Sequence, residues 1–98
     1  RPYRDYLPYC VSKAGVIALT KALAKELAPR IHVIAIAPGP ILPPPDMTAR
    51  ERRRAIARVP LKRWGDPSDI ARAVRFAVEG TDFMTGTTIF VDGGRLIA

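Results

Sequence analysis

The segment Ile31-His-Val-Ile-Ala-Ile-Ala37 constrains this chain more than any other: it is nearly unbroken apolar, partly β-branched, and bounded by proline on both sides. A strand with one face in water alternates apolar with polar side chains. This run offers only His32, so it reads as a strand buried on both faces. Burial on both faces is the signature of a parallel sheet covered by helices, which assigns the chain to the α/β class.

The helices that such a sheet needs are legible on either side. From Pro8 to Ala28, Val11, Ala14, Ile17, Ala18, Leu19, Ala22, Leu23 and Leu27 recur at three- and four-residue intervals, the period of an amphipathic helix. Pro8 suits its first position and Pro29 stops it. Thr48 to Arg58 forms a short charged helix, with Glu51 three residues after Thr48 as a capping box. Asp66-Pro67-Ser68-Asp69 repeats the start signal ahead of Ile70, Val74, Phe76 and Ala77, and that helix ends near Gly80. Thr87 to Val91 reads as a second buried strand, closed by the turn Asp92-Gly93-Gly94. Between the first strand and the charged helix, Pro38 to Asp46 holds five of the ten prolines. It is a stiff loop. It is either a linker or, as its place after a buried strand favours, a loop beside a site, since open parallel sheets bind ligands at the carboxyl ends of their strands.

Composition excludes several functions. With 48% hydrophobic and 26% charged residues the chain is globular rather than disordered. No apolar run approaches the roughly 18 residues of a membrane span, and the start has no secretory pattern. One cysteine, Cys10, rules out an intrachain disulfide and, with a single histidine, His32, argues against a metal site. A reducing, cytoplasm-like compartment is expected. The net charge of +7 is concentrated: residues 50–63 hold Arg50, Arg52, Arg53, Arg54, Arg58, Lys62 and Arg63 against Glu51 alone. Nucleic-acid modules add a recognised motif or interleaved aromatics, and only Trp64 is near, so a solvated helix face, with some steering of an anionic ligand, is the reading. Cys10 reads as a packing residue, His32 as a satisfied strand histidine, and Trp64 as a filler between the charged helix and the one after it.

Chemistry is concentrated at Tyr9 and Lys13, four apart on the first helix and therefore on one face of it. A free tyrosine has a pKa near 10. A nearby ammonium favours the phenolate, which makes the hydroxyl a better proton donor to a developing alkoxide and its anion a better base in reverse. A surface Tyr and Lys is the plain alternative.

Context separates the two. The run Tyr9-Cys-Val-Ser-Lys-Ala-Gly-Val-Ile-Ala-Leu-Thr-Lys-Ala-Leu-Ala-Lys-Glu-Leu-Ala28 closely resembles the active-site helix of the classical short-chain dehydrogenase/reductase family. Ile31 to Gly39 resembles that family's penultimate strand and Pro-Gly loop. Arg63-Trp-Gly-Asp-Pro67 with Asp69-Ile-Ala71 is similar to the start of its last long helix, and Thr85-Gly86 through Val91-Asp-Gly-Gly94 to its final strand. The four motifs stand in the family's order and cover nearly the whole chain. The proline-rich continuation, with Pro60-Leu-Lys-Arg63 and Asp92-Gly-Gly-Arg95, is similar to pteridine reductase-like members, and 3-oxoacyl-ACP reductase-like members are the other candidate subfamily.

The resemblance implies the C-terminal part, residues 1–98, of a single NAD(P)-binding domain of Rossmann type, a doubly wound parallel sheet of about 250 residues. It implies an oxidoreductase moving a hydride between NAD(P)H and a carbonyl, alcohol or imine, with NADP preferred over NAD. Tyr9 would be the proton donor or acceptor, and Lys13 would hydrogen-bond the nicotinamide ribose. The backbone of Pro38, Gly39, Pro40 and Ile41 would form the cofactor wall. Residues 42–59 would be a substrate lid, with Pro40, Leu42 and Met47 as substrate contacts, and the helix 8–28 would pair subunits into a dimer or tetramer. Three positions depart from the family: His32 where Arg is usual, Ile34 where Asn is usual, and Pro43 where many members have a cofactor-binding threonine. The family's glycine-rich turn and substrate-orienting serine would lie upstream of Arg1, so the chain alone is expected to be inactive. A non-catalytic binding or assembly subunit of the same fold is the alternative.

Overall fold

The computed structural model describes the backbone of residues 2–97 and their side chains except those of residues 2–7 and 9. In order come α1 (Pro2–Leu27), β1 (Ile34–Pro38), α2 (Ala49–Ala57), α3 (Pro67–Glu79) and β2 (Thr87–Val91), followed by a 3-10 turn at Arg95–Ile97. Among the described residues the sheet has two strands, β1 beside β2. They are parallel. The amide of Gly86 donates to the Val33 carbonyl at 2.8 Å at one end, and that of Gly39 to Val91 at 2.9 Å at the other, so both strands advance together.

Four expectations change. Helix α1 starts at Pro2, and Pro8 lies inside it, which forfeits one backbone bond of the ladder without ending it. The first strand starts at Ile34 instead of Ile31, because the Ile31 amide donates to the Leu27 carbonyl at 3.0 Å and closes the end of α1. Ile31 and His32 are accordingly exposed, so His32 is not a strand histidine. The strand itself is half-buried from Ile34 to Ala37 rather than fully buried.

By contacts the chain divides into two compact units, Arg1–Ala35 with Thr81–Thr88, and Ile36–Gly80 with Ile89–Ala98. In the first unit, the covered stripe of α1 is Cys10, Lys13, Ile17, Thr20, Ala24 and Leu27, alternating three- and four-residue steps. Ala24 is 4% exposed, and a Cβ at Gly86 would lie 3.3 Å from its methyl. Thr20 satisfies its buried hydroxyl by donating to the Val16 carbonyl at 2.7 Å. Val11, Leu19 and Leu23, which the periodicity placed inside, are exposed, as is Val16. In the second unit Val59, 1% exposed, is the buried centre, and a Cβ at Gly93 would lie 2.7 Å from it.

The capping box expected at Thr48 forms, and the start signal at Asp66 proves to be a second one. Thr48 accepts from the Glu51 amide at 3.1 Å while Glu51 accepts from the Thr48 amide at 2.8 Å. Asp66 accepts from Ser68, and Asp69 accepts from the Asp66 amide at 2.8 Å, with Pro67 in the first turn.

Candidate active site

Tyr9 and Lys13 both lie on α1, in the first unit. Four residues of helix separate them by about 40° around the axis and about 6 Å along it. Lys13 is half-buried, on the covered stripe of α1, while the side chain of Tyr9 lies outside the described residues. Ser12 next door is exposed, on another face. The thiol of Cys10 is free and half-buried.

The second unit holds the Pro-Gly loop, and here the backbone is fixed from three directions. Gly39 donates to Val91, Gly65 donates to the Pro40 carbonyl at 2.8 Å, and Leu42 donates to the Gly65 carbonyl at 3.2 Å. Ile41 and Gly65 thereby form a parallel bridge. Glycine is required at 39 by close approach, since a Cβ there would lie 2.5 Å from the Asp92 Cα. Leu42 takes a left-handed φ of 56°, turning the chain out of the bridge. Of the expected substrate contacts, Pro40 and Met47 are half-buried and Leu42 is exposed; the Met47 amide donates to Pro44 at 3.1 Å in the proline turn.

A cavity of about 420 Å³ opens on this loop, lined by Pro40, Ile41, Arg63, Asp69, Arg72 and Asp92 among others, all from the second unit. Its polar side is organised. Arg63 donates to Asp69 at 3.1 Å and to the Trp64 carbonyl at 3.0 Å, and Arg72 stands 4.0 Å from Asp69. The Arg63 guanidinium, with the Asp66 amide, holds the Asp69 carboxyl below its ordinary range, and the Asp69 hydrogen bond raises the Arg63 pKa in turn. Arg63, 60% exposed, thus stays on the solvated basic face and is at the same time held in an ion pair by Asp69. Asp92 does more than turn the chain: its carboxylate accepts from the amides of Gly94 at 2.9 Å and Leu96 at 3.2 Å, fixing the residue against which Gly39 packs.

A parallel β-sheet, a fixed Pro-Gly loop after its strand and a helix bearing Tyr and Lys four apart define an α/β portion of a Rossmann-type sheet. The chain belongs to the short-chain dehydrogenase/reductase family, matching over residues 1–95 the family model described as enoyl-(acyl carrier protein) reductase. It is 44% identical over 93 residues to the 3-oxoacyl-[acyl-carrier-protein] reductase FabG of Thermotoga maritima, covering 91% of this chain and 38% of that protein. The corresponding enzyme of Haemophilus influenzae is 42% identical over 96 residues, covering 92% of this chain and 39% of that protein. Among solved structures, FolM alternative dihydrofolate reductase 1 from Brucella canis complexed with NADP superposes with a TM-score of 0.79 at 39% identity, over 92% of this chain and 36% of that one. A small-chain dehydrogenase in complex with NADPH superposes with a TM-score of 0.73 at 44% identity, over 87% of this chain and 41% of that one. The chain thus spans about two fifths of the length of these relatives. Among the described residues, no helix is long and apolar enough to cross a membrane, and no His, Cys, Asp and Glu group is placed to hold a metal ion.

Proposed function

We propose that this chain is the part of a nicotinamide-dependent short-chain reductase that carries its proton donor, with NADP the favoured cofactor and a small carbonyl or imine compound the substrate. The observation that carries the reading is the four-residue register of Tyr9 and Lys13 on α1, in a chain 44% identical to 3-oxoacyl-[acyl-carrier-protein] reductases. The NADP and NADPH complexes of its structural neighbours support the cofactor.

The chain's own residues suit such a cofactor. Pro38, Gly39, Pro40 and Ile41 present a backbone that their hydrogen bonds hold in place, and a wall built of backbone works whatever the side chains are. The nicotinamide, when bound, supplies a hydride to the electrophilic carbon. Tyr9 gives its hydroxyl proton to the oxygen or nitrogen that gains the electron pair, and the Lys13 ammonium lowers the cost of the resulting phenolate while donating to the ribose. Pro40, Leu42 and Met47, with the lid at 42–59, border the substrate. The exposed stripe Ala14, Ala18 and Ala22 of α1, flanked by exposed Val11 and Leu19, supports close pairing of this helix with that of a second subunit. On this proposal the enzyme sits in the cytoplasm, where the Cys10 thiol stays reduced.

The test is Tyr9→Phe in the complete protein. Turnover falls about 10²- to 10⁴-fold, the usual contribution of a positioned proton donor, while dinucleotide affinity is kept. Unchanged turnover would overturn the catalytic assignment, whereas a parent protein with no turnover at all would leave the non-catalytic subunit as the reading.

A further inference from the structure

We infer that Arg58, Lys62 and Arg95 form a binding site for the phosphate group of a small ligand, separate from the Pro-Gly loop and independent of the reductase reading. They line an open surface depression of about 480 Å³ together with Ala57 and Pro60; all five residues are exposed, and its charged lining is cationic throughout.

Backbone hydrogen bonds fix the segments that carry the three cations. The Leu61 amide donates to the Gly93 carbonyl at 3.0 Å, which ties the segment after α2 to the turn after β2. Gly94 seats against Pro60, where a Cβ would lie 2.9 Å from the ring, and the Arg95 amide donates to the Asp92 carbonyl at 3.1 Å. Asp92, the acid nearest Arg95 in sequence, has its carboxylate engaged by the amides of Gly94 and Leu96. Among the described residues none of the three cations is in an ion pair.

Lys62 gives the second observation. It holds a left-handed φ of 57°, where a side chain costs about 1–2 kcal/mol and glycine is the ordinary choice. In that conformation its ammonium donates to the Ala57 carbonyl at 2.7 Å. This bond covers the negative end of α2, which would otherwise repel an anion, and leaves two of the three ammonium protons for a ligand. Three like charges around one depression repel each other, and a dianionic oxyanion relieves that repulsion. Arginine forks hold such a group bidentately and lysine holds it as a point charge. Arg54 and Arg50, one and two turns back along the same side of α2, extend the attracting field, and Glu51 between them is occupied in its capping box.

The full chain is titrated with inorganic phosphate and, separately, with glycerol 3-phosphate at low ionic strength, following backbone amide shifts. Saturable shifts at residues 58–62 and 93–95 are expected. Affinity about tenfold higher for the ester assigns the site to a phosphorylated ligand, whereas equal affinity assigns it to the free ion. Lys62→Gly suits the left-handed backbone and should keep or raise the melting temperature while weakening phosphate about tenfold, with Arg95→Gln doing the same from the other wall. The proposal is overturned if no saturable shift occurs at these residues, or if both variants bind as the parent does.

Discussion

At the scale of single residues, chemistry was legible where it depends on residue type and spacing along one helix, as for Tyr9 and Lys13. It was illegible where it depends on approach between distant segments. Nothing local distinguishes Gly39 from any other loop glycine, yet its Cα stands where a methyl group would lie 2.5 Å from the Asp92 backbone. Gly39→Ala should therefore shift the strand end and cost on the order of 1–3 kcal/mol, as overpacking does. Chemical denaturation checks this, and an unchanged midpoint would refute it. Arg63 is a similar case: counted among the basic residues around α2, it proves to be held by Asp69, a partner given by the fold of residues 63–69.

At the scale of elements, α2 and α3 were legible because their start signals are complete within four residues. The α3 start also carries a pH dependence. The Ser68 hydroxyl and amide lower the Asp66 pKa, and the Arg63 guanidinium and the Asp66 amide lower that of Asp69. Carboxyls depressed in the folded state stabilise it fully above their unfolded pKa, about 3.9, and cease to do so as pH falls through the folded values. The melting temperature should thus hold level from about pH 7 to 5 and decline below about pH 4. Asp66→Asn keeps a capping side chain but removes one titrating group, so its decline should be shallower; an identical acid limb would contradict the assignment. Strand β1 was legible as an element but not in its first residue, because the Ile31 amide belongs to the end of α1. The covered side of α1 was misjudged for a related reason: with apolar residues on more than one side, periodicity did not identify the stripe from Cys10 to Leu27 as the one that packs.

At the scale of the whole molecule, a thin core stands out. Among the described residues only Thr20, Ala24 and Val59 are fully buried, while Phe83 is 98% exposed and Val11, Val16 and Leu19 are more than half exposed. A helix with that much apolar surface calls for a further cover. If α1 pairs across subunits as proposed, the complete protein sediments as a dimer or tetramer. Ala18→Arg, a change on the exposed small-residue stripe, then shifts it towards monomer. A native protein that sediments as a monomer contradicts the pairing.

The sequence by itself determined the α/β class, the order of elements, the Thr48 capping box, the start signal at Asp66, the Tyr9/Lys13 register and the family, because each is written in contiguous residues or in helical spacing. Tertiary structure alone decided that Gly39 abuts Asp92, that Ile41 bridges Gly65, that Arg63 serves Asp69, and that Arg58, Lys62 and Arg95 share one surface depression. The physical reason is sequence separation. Local hydrogen bonds and periodic burial leave their mark within a few residues, whereas contacts between segments up to some fifty residues apart depend on where β1, β2 and the turns between them bring the chain together.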